Sequence, residues 1–200
     1  GIYASDATFN VISRCAGQVL PCNNFDNTLF QGLGYGISVS SSANVDEVDF
    51  VKYPYVVQEA VFDKCIYGIL NRFVSQGVII GNTFNLGNLP PASELSTDPY
   101  TTQQFGVFFE DGANGFDIQE NHFTGTPGNV PNTFGTYCNN IDIFPNEVRK
   151  NTYSGVKYGN VADKINALLW SPPQGLVYLC NTNDNAQDGY DFYVFQGAQI

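Results

Sequence analysis

Methionine is absent from this 200-residue chain, histidine and tryptophan occur once each, and lysine plus arginine total only 8. So few cations exclude a nucleic-acid partner, because neutralising phosphates takes clustered Lys and Arg. Against them stand 19 acidic residues, and the formal net charge of −11 also disfavours an anionic membrane surface. No apolar run approaches the roughly 18 residues of a spanning helix, so no membrane insertion is expected. Long stretches of helix formers with a 3.6-residue apolar stripe are missing too. The nearest approach is Val161 to Leu169, where Ala162, Ile165 and Leu168 or Leu169 have roughly helical spacing. C-x-x-C, G-x-G-x-x-G, P-loop, H-E-x-x-H and G-x-S-x-G patterns do not occur, which removes the chemistries those motifs carry.

What is present points to strands and turns. Hydrophobic residues make up 43% and charged residues 14%, which excludes a disordered chain. Sixteen Phe and 12 Tyr favour strands, while 20 Gly and 22 Asn favour many turns. The length suits a single domain over residues 1–200. The abrupt start at Ile2-Tyr3 leads us to expect a segment of a longer chain. Five cysteines leave at least one unpaired, and Cys15 and Cys22 are close enough to bridge a short loop in an oxidising compartment. Cys65 and Cys138 read as small buried hydrophobes.

One pattern recurs: an aliphatic residue, two variable residues, an asparagine, one variable residue and an aromatic. It stands at 20–25, 79–84, 118–123 and 148–153, with a degraded copy at 177–183. The asparagines are Asn23, Asn82, Asn121, Asn151 and Asn181, separated by 59, 39, 30 and 30 residues. A period in this range marks a solenoid. The 30-residue unit reads as three short strands and three turns, the 39 as a unit with an insertion, and the 59 as two units. The missing corner then falls near Val61-Phe62-Asp63-Lys64. A short amide takes left-handed or bridge conformations and bonds backbone at a corner. Stacked about 4.8 Å apart, these amides should form a ladder, with Phe25, Phe84, Phe123 and Tyr153 stacked beside it. A second phrase, Tyr35-Gly36-Ile37, returns as Tyr67-Gly68-Ile69 and Phe105-Gly106-Val107, with Ser154-Gly155-Val156 as a further copy. Its glycine suits a tight turn ahead of an inward strand residue.

With these corners and strands, the chain resembles the right-handed parallel β-helix of the pectin-lyase-like superfamily. The resemblance implies an all-β solenoid of about five to six coils with loop insertions. The stretch Gly175 to Asn183 followed by Tyr190 to Val194 also resembles β-helix regions of large secreted or cell-surface Bacteroidetes proteins carried by type IX secretion. That implies an extracellular or cell-surface location.

Candidate chemistry is sparse. A lyase of this fold would use clustered carboxylates to hold calcium against an acidic sugar and an Arg or Lys as base. Asp111, Asp117 and Asp142 with Arg149 are the residues for such a site, and Arg72 is a further basic candidate. Asp117 with Asp142 would be the pair for a hydrolase, which needs carboxylates about 5–10 Å apart. Calcium is the one cofactor the sequence admits, at the acidic loop of Asp46, Glu47 and Asp49. Trp170 is the candidate for stacking on a sugar ring. His122, between Asn121 and Phe123, should point outward. Since the repeated residues serve the fold, the expected function is non-catalytic: a structural or adhesive extracellular segment, with polysaccharide or neighbouring protein coils as partners. A carbohydrate-active or glycan-binding domain is the rival class, and a subunit stacking end to end into filaments the third.

Overall fold

The computed structural model describes residues 1–16, 25–42, 53–89, 103–112, 115–126, 132–141, 145–168, 174–184 and 189–195. Among them there is no helix. The described residues are all-β and build three large sheets of seven, seven and six strands, parallel throughout except for Ala167–Leu168 at one edge of the second. The chain visits the three sheets in turn: Tyr67–Arg72 lies in the first, Gly77–Ile80 in the second and Thr83–Leu86 in the third. The following strand, Gln103–Glu110, returns to the first sheet beside Tyr67–Arg72. Six such rounds are present among the described residues, and Tyr190–Val194 adds a seventh strand to the first sheet. This topology is compatible with a solenoid.

The predicted helical segment is strand. Val161 and Ala162 belong to Tyr158–Asp163 and pair in register with Tyr137 and Cys138. A short stretch with no strong local preference takes the conformation of the sheet that receives it. Two departures from parallel pairing occur: the small antiparallel pair Arg14–Cys15 with Phe25–Asp26, and Ala167–Leu168 against Gln174–Leu179.

At the corner between the second and third sheets, Asn82, Asn121, Asn151 and Asn181 stand in one row. The side-chain Nδ2 of each donates to Oδ1 of the next, at 2.9, 3.0 and 3.1 Å. The other Nδ2 hydrogens go to the carbonyls of Val57, Ile79, Ile118 and Val148. Each Oδ1 also accepts the backbone N–H of the residue one round back, beginning with Ala60 on Asn82 at 2.9 Å. The lost asparagine is therefore at Ala60. Asn23 lies outside the described residues. In its round the aromatic position is filled by Phe30, not by Phe25, which sits in the antiparallel pair.

The left-handed residue of the corner is not the asparagine but its predecessor. Glu59, Gly81, Glu120, Lys150 and Cys180 have φ of 56°, 66°, 57°, 53° and 54°. Asparagine is thereby left in a conformation that turns its amide along the stack.

Beside this row the rings of Phe30, Phe62, Phe84, Phe123 and Tyr153 stack with centroids 4.7–4.9 Å apart, the spacing of the strands themselves. Opposite them, inside the first sheet, run glycines. A Cβ built on Gly36, Gly68, Gly106 or Gly135 would lie 2.5–2.7 Å from a ring atom of Phe62, Phe84, Phe123 or Tyr153 respectively. The aromatic–glycine phrase thus exists because the ring occupies the space of a side chain, and not because the glycine turns the chain.

Two tyrosines close off the interior. The hydroxyl of Tyr55 accepts from Asn71 Nδ2 at 2.9 Å, and that of Tyr153 is 2.9 Å from Thr136 Oγ1. Burial raises both pKa values above the ordinary 10.0. Above pH 10 the unfolded chain loses these protons while the folded chain keeps them. Stability is therefore intact below pH 10 and falls as pH rises beyond it. An absorbance titration should show these two phenols ionising only together with loss of the circular-dichroism signal. Ionisation with the fold intact would contradict their burial.

Candidate functional site

The three sheets carry different chemistry on their outer faces, and the first sheet is the most distinctive. Its first outward row is aromatic: Tyr35, Tyr67, Phe105, Phe134, Tyr158 and Tyr190 stack with centroids 4.7–5.4 Å apart. Next come Leu70, Phe108, Tyr137, Val161 and Tyr193, in register across the strands. A third row is polar: Arg72, Glu110, Asn139 and Asp163.

Tyr137 stands edge-on to Phe105, Phe108 and Phe134, at interplanar angles of 79–86°. Its hydroxyl donates to Asp163 Oδ2 at 2.9 Å. Burial and that carboxylate both raise its pKa, so it is a neutral donor at any ordinary pH. Where the aromatic and polar rows meet, a cavity of about 210 Å³ opens. Phe105, Phe108 and Tyr137 give it apolar lining, and Arg72, Glu110 and Asn139 give it polar lining. Arg72 Nε donates to Glu110 Oε2 at 2.6 Å. Burial works against the guanidinium charge, but the bond and attraction to Glu110 outweigh it and raise the Arg72 pKa. Asn139 is 8% exposed and its Oδ1 has no hydrogen-bond partner among the described residues. A buried oxygen without a donor costs free energy and is the natural seat of a donor from outside the chain.

Among the described candidate catalytic residues, the structure brings together only Arg149 and Asp117. Arg149 Nη2 and Nε bond the two Asp117 oxygens at 2.8 and 3.2 Å, and Nε also reaches Glu147 at 3.1 Å. The hydrogen bonds to Asp117, then its charge, raise the Arg149 pKa. A guanidinium held this way is a poor proton acceptor. Asp111 lies at another corner, where it is left-handed (φ 46°) and accepts from Asn140 Nδ2 at 2.9 Å. Asp142, Trp170 and the calcium candidates Asp46, Glu47 and Asp49 lie outside the described residues. Among the described residues no group of three His, Cys, Asp or Glu is placed to hold a metal. His122 is exposed and its Nδ1 sits 2.6 Å from Thr152 Oγ1.

Family models, curated proteins and solved structures give no match to this chain. The site must be judged on its geometry.

The outer aromatic row was partly visible in the phrases at Tyr35, Tyr67 and Phe105. Its continuation is Phe134-Gly135 and Tyr158-Gly159, whereas Gly155 is a left-handed corner at φ 67°. Aromatic residue followed by glycine is the better signal than glycine followed by an aliphatic.

The cysteines divide by environment. Cys15 is disulfide-bonded, and Cys22 lies outside the described residues. Cys65 and Cys138 are buried free thiols whose pKa burial pushes up to about 11 and about 12, whereas Cys180 is exposed. Thiolates are the reactive form. Native alkylation followed by site-resolved mass spectrometry should therefore modify Cys180 and spare the other two until denaturant is added.

Proposed function

We propose that the three sheets wind as a right-handed parallel β-helix of six coils, and that the chain serves as a rigid, non-catalytic segment of an extracellular or cell-surface protein. The observation that carries this reading is the closed fork of Arg149 on Asp117 and Glu147, with contacts of 2.8–3.2 Å. The arginine needed as a base is neutralised, and the carboxylates needed for a cation are spent on it. Arg72 is occupied in the same way by Glu110. The disulfide at Cys15 supports an oxidising location, consistent with the resemblance to secreted Bacteroidetes proteins. The test is incubation with acidic and neutral polysaccharides, with and without calcium, reading unsaturated and reducing ends. No product is expected. Turnover that disappears in Arg149→Ala would overturn the reading.

A second reading, glycan binding without cleavage, is favoured by Asn139 Oδ1, unpartnered among the described residues, in an aromatic-lined cavity. A sugar offers hydroxyl donors for that oxygen and apolar ring faces for the aromatics. On a glycan array, retained signal that falls at least about tenfold in Asn139→Ala would support it. Equal signal in wild type and variant would count against it.

A further inference from the structure

The cavity on the first sheet restricts how a sugar enters it. Its aromatic floor belongs to outward rows, yet Tyr67, Phe105, Phe108 and Phe134 are only 3–9% exposed. Phe195 packs against this cluster, its ring centroid 6.1 Å from that of Tyr137. Stacking along the sheet also occupies the faces of Phe105, with Tyr67 at 5.0 Å and Phe134 at 4.8 Å. A polysaccharide laid across a sheet needs an open run of side chains with ring faces free for successive sugars. Around the cavity these rows offer no such run among the described residues. What opens here is a single cavity of about 210 Å³. Sites for drug-sized ligands hold roughly 300–1,000 Å³, so this one has room for one ring.

The polar wall of the cavity both gives and takes hydrogen bonds. Glu110 and Asn139 are in register on adjacent strands, about 4.8 Å apart, with Arg72 in register on the other side of Glu110. Glu110 spends Oε2 on Arg72 Nε, which leaves Oε1 as an acceptor. Asn139 Oδ1 is the second acceptor, unpartnered among the described residues. The two Nη groups of Arg72 are not part of the Nε bond and supply donors. An ammonium ligand only donates. Neighbouring hydroxyls on one sugar ring donate to two adjacent acceptors and accept from the guanidinium as well. Charge narrows the choice further. Arg72 and Glu110 cancel, Asp163 follows Asn139 in the row, and the whole chain carries −11, so an acidic sugar is repelled.

Resting on the glycan-binding reading of this cavity, we propose that it takes the terminal residue of an uncharged glycan, one ring deep, with the rest of the glycan outside. Asn139 Oδ1 and Glu110 Oε1 accept from two adjacent hydroxyls of that ring, and Arg72 Nη donates to another of its oxygens. Phe105, Phe108 and Tyr137 cover its apolar side. The empty protein carries a buried oxygen without a donor, and the ligand relieves that cost.

Isothermal titration calorimetry tests this with galactose, glucose, mannose, xylose, arabinose and galacturonate, and with oligosaccharides of each neutral sugar up to the hexasaccharide. One neutral monosaccharide should bind with a dissociation constant on the order of a millimolar. Its oligosaccharides should bind within about twofold of it, because the added residues make no contact. Asn139→Leu should weaken binding by at least about tenfold. Its urea midpoint should not fall, since the substitution removes a buried oxygen that lacks a donor. If circular dichroism shows that Asn139→Leu does not fold, the length series on the wild type decides alone. Affinity that climbs about tenfold or more toward the hexasaccharide, or binding by oligosaccharides only, overturns the chain-end proposal and leaves the glycan-binding reading standing. Galacturonate bound as tightly as galactose contradicts the neutral ligand in the same way. Wild-type affinity in a folded Asn139→Leu, or no binding by any of these sugars and none on the glycan array, overturns both.

Discussion

Asn121→Ala should cost roughly 3–5 kcal/mol of folding stability, the largest loss expected from any corner residue. The Asn121 amide joins three rounds of the chain. Its Oδ1 accepts both the N–H and the Nδ2 of Asn82, and its Nδ2 donates to Ile79 O and Asn151 Oδ1. Alanine strands two donors and a carbonyl at a site with no exposed surface. Each orphaned group costs about 1–3 kcal/mol, partly offset by relaxation and by entry of water. Asn181, at the end of the row and part-exposed, should lose only about 1–2 kcal/mol on the same substitution. Urea denaturation with linear extrapolation gives both values. A loss below about 1 kcal/mol for Asn121→Ala would show that the row contributes little beyond its geometry.

Gly106→Ala should destabilise by about 2–3 kcal/mol, although alanine is ordinarily the better strand residue of the two. The new Cβ would lie 2.6 Å from two ring carbons of Phe123 and 2.8 Å from the carbonyl oxygen of Gly135. The ring cannot swing aside, because Phe84 and Tyr153 stack on its two faces at 4.7 and 4.8 Å. If the ring is the obstacle, the cost must couple to it. In a Phe123→Leu background the same glycine substitution should cost about 1 kcal/mol less. Relief should be incomplete, since the Gly135 oxygen stays where it is. Strict additivity of the two changes would place the obstacle in the backbone alone.

How legible all this was depended on whether a role was repeated and local. The asparagine corner was readable because Asn82, Asn121, Asn151 and Asn181 do the same work in the same four-residue setting. It became unreadable where the work passed to a different residue. Ala60 keeps its place in the row through its backbone N–H and carbonyl, and nothing in an alanine announces that. Phe25 misled for the opposite reason: it copies the pattern but pairs elsewhere, with Cys15. The cavity on the first sheet was not readable at all. Arg72, Glu110 and Asn139 are separated by 38 and 29 residues and meet only because three strands fall into register. The paired fate of Arg149 was hidden likewise, since Asp117 is one round away.

The corner before the asparagine row has one further consequence. In five rounds it spans two residues, one left-handed and one in the row: 59–60, 81–82, 120–121, 150–151 and 180–181. In those five rounds length variation is therefore confined to the other two corners, where one round can run far longer than the next while rising by the same strand spacing. Only the first round, with the pair Arg14–Cys15 and Phe25–Asp26, lengthens this corner among the described residues. Contour length and height are uncoupled. Such a chain can change what it displays along its flanks without changing how far it reaches, and can change its reach by whole rounds without redesigning what it displays.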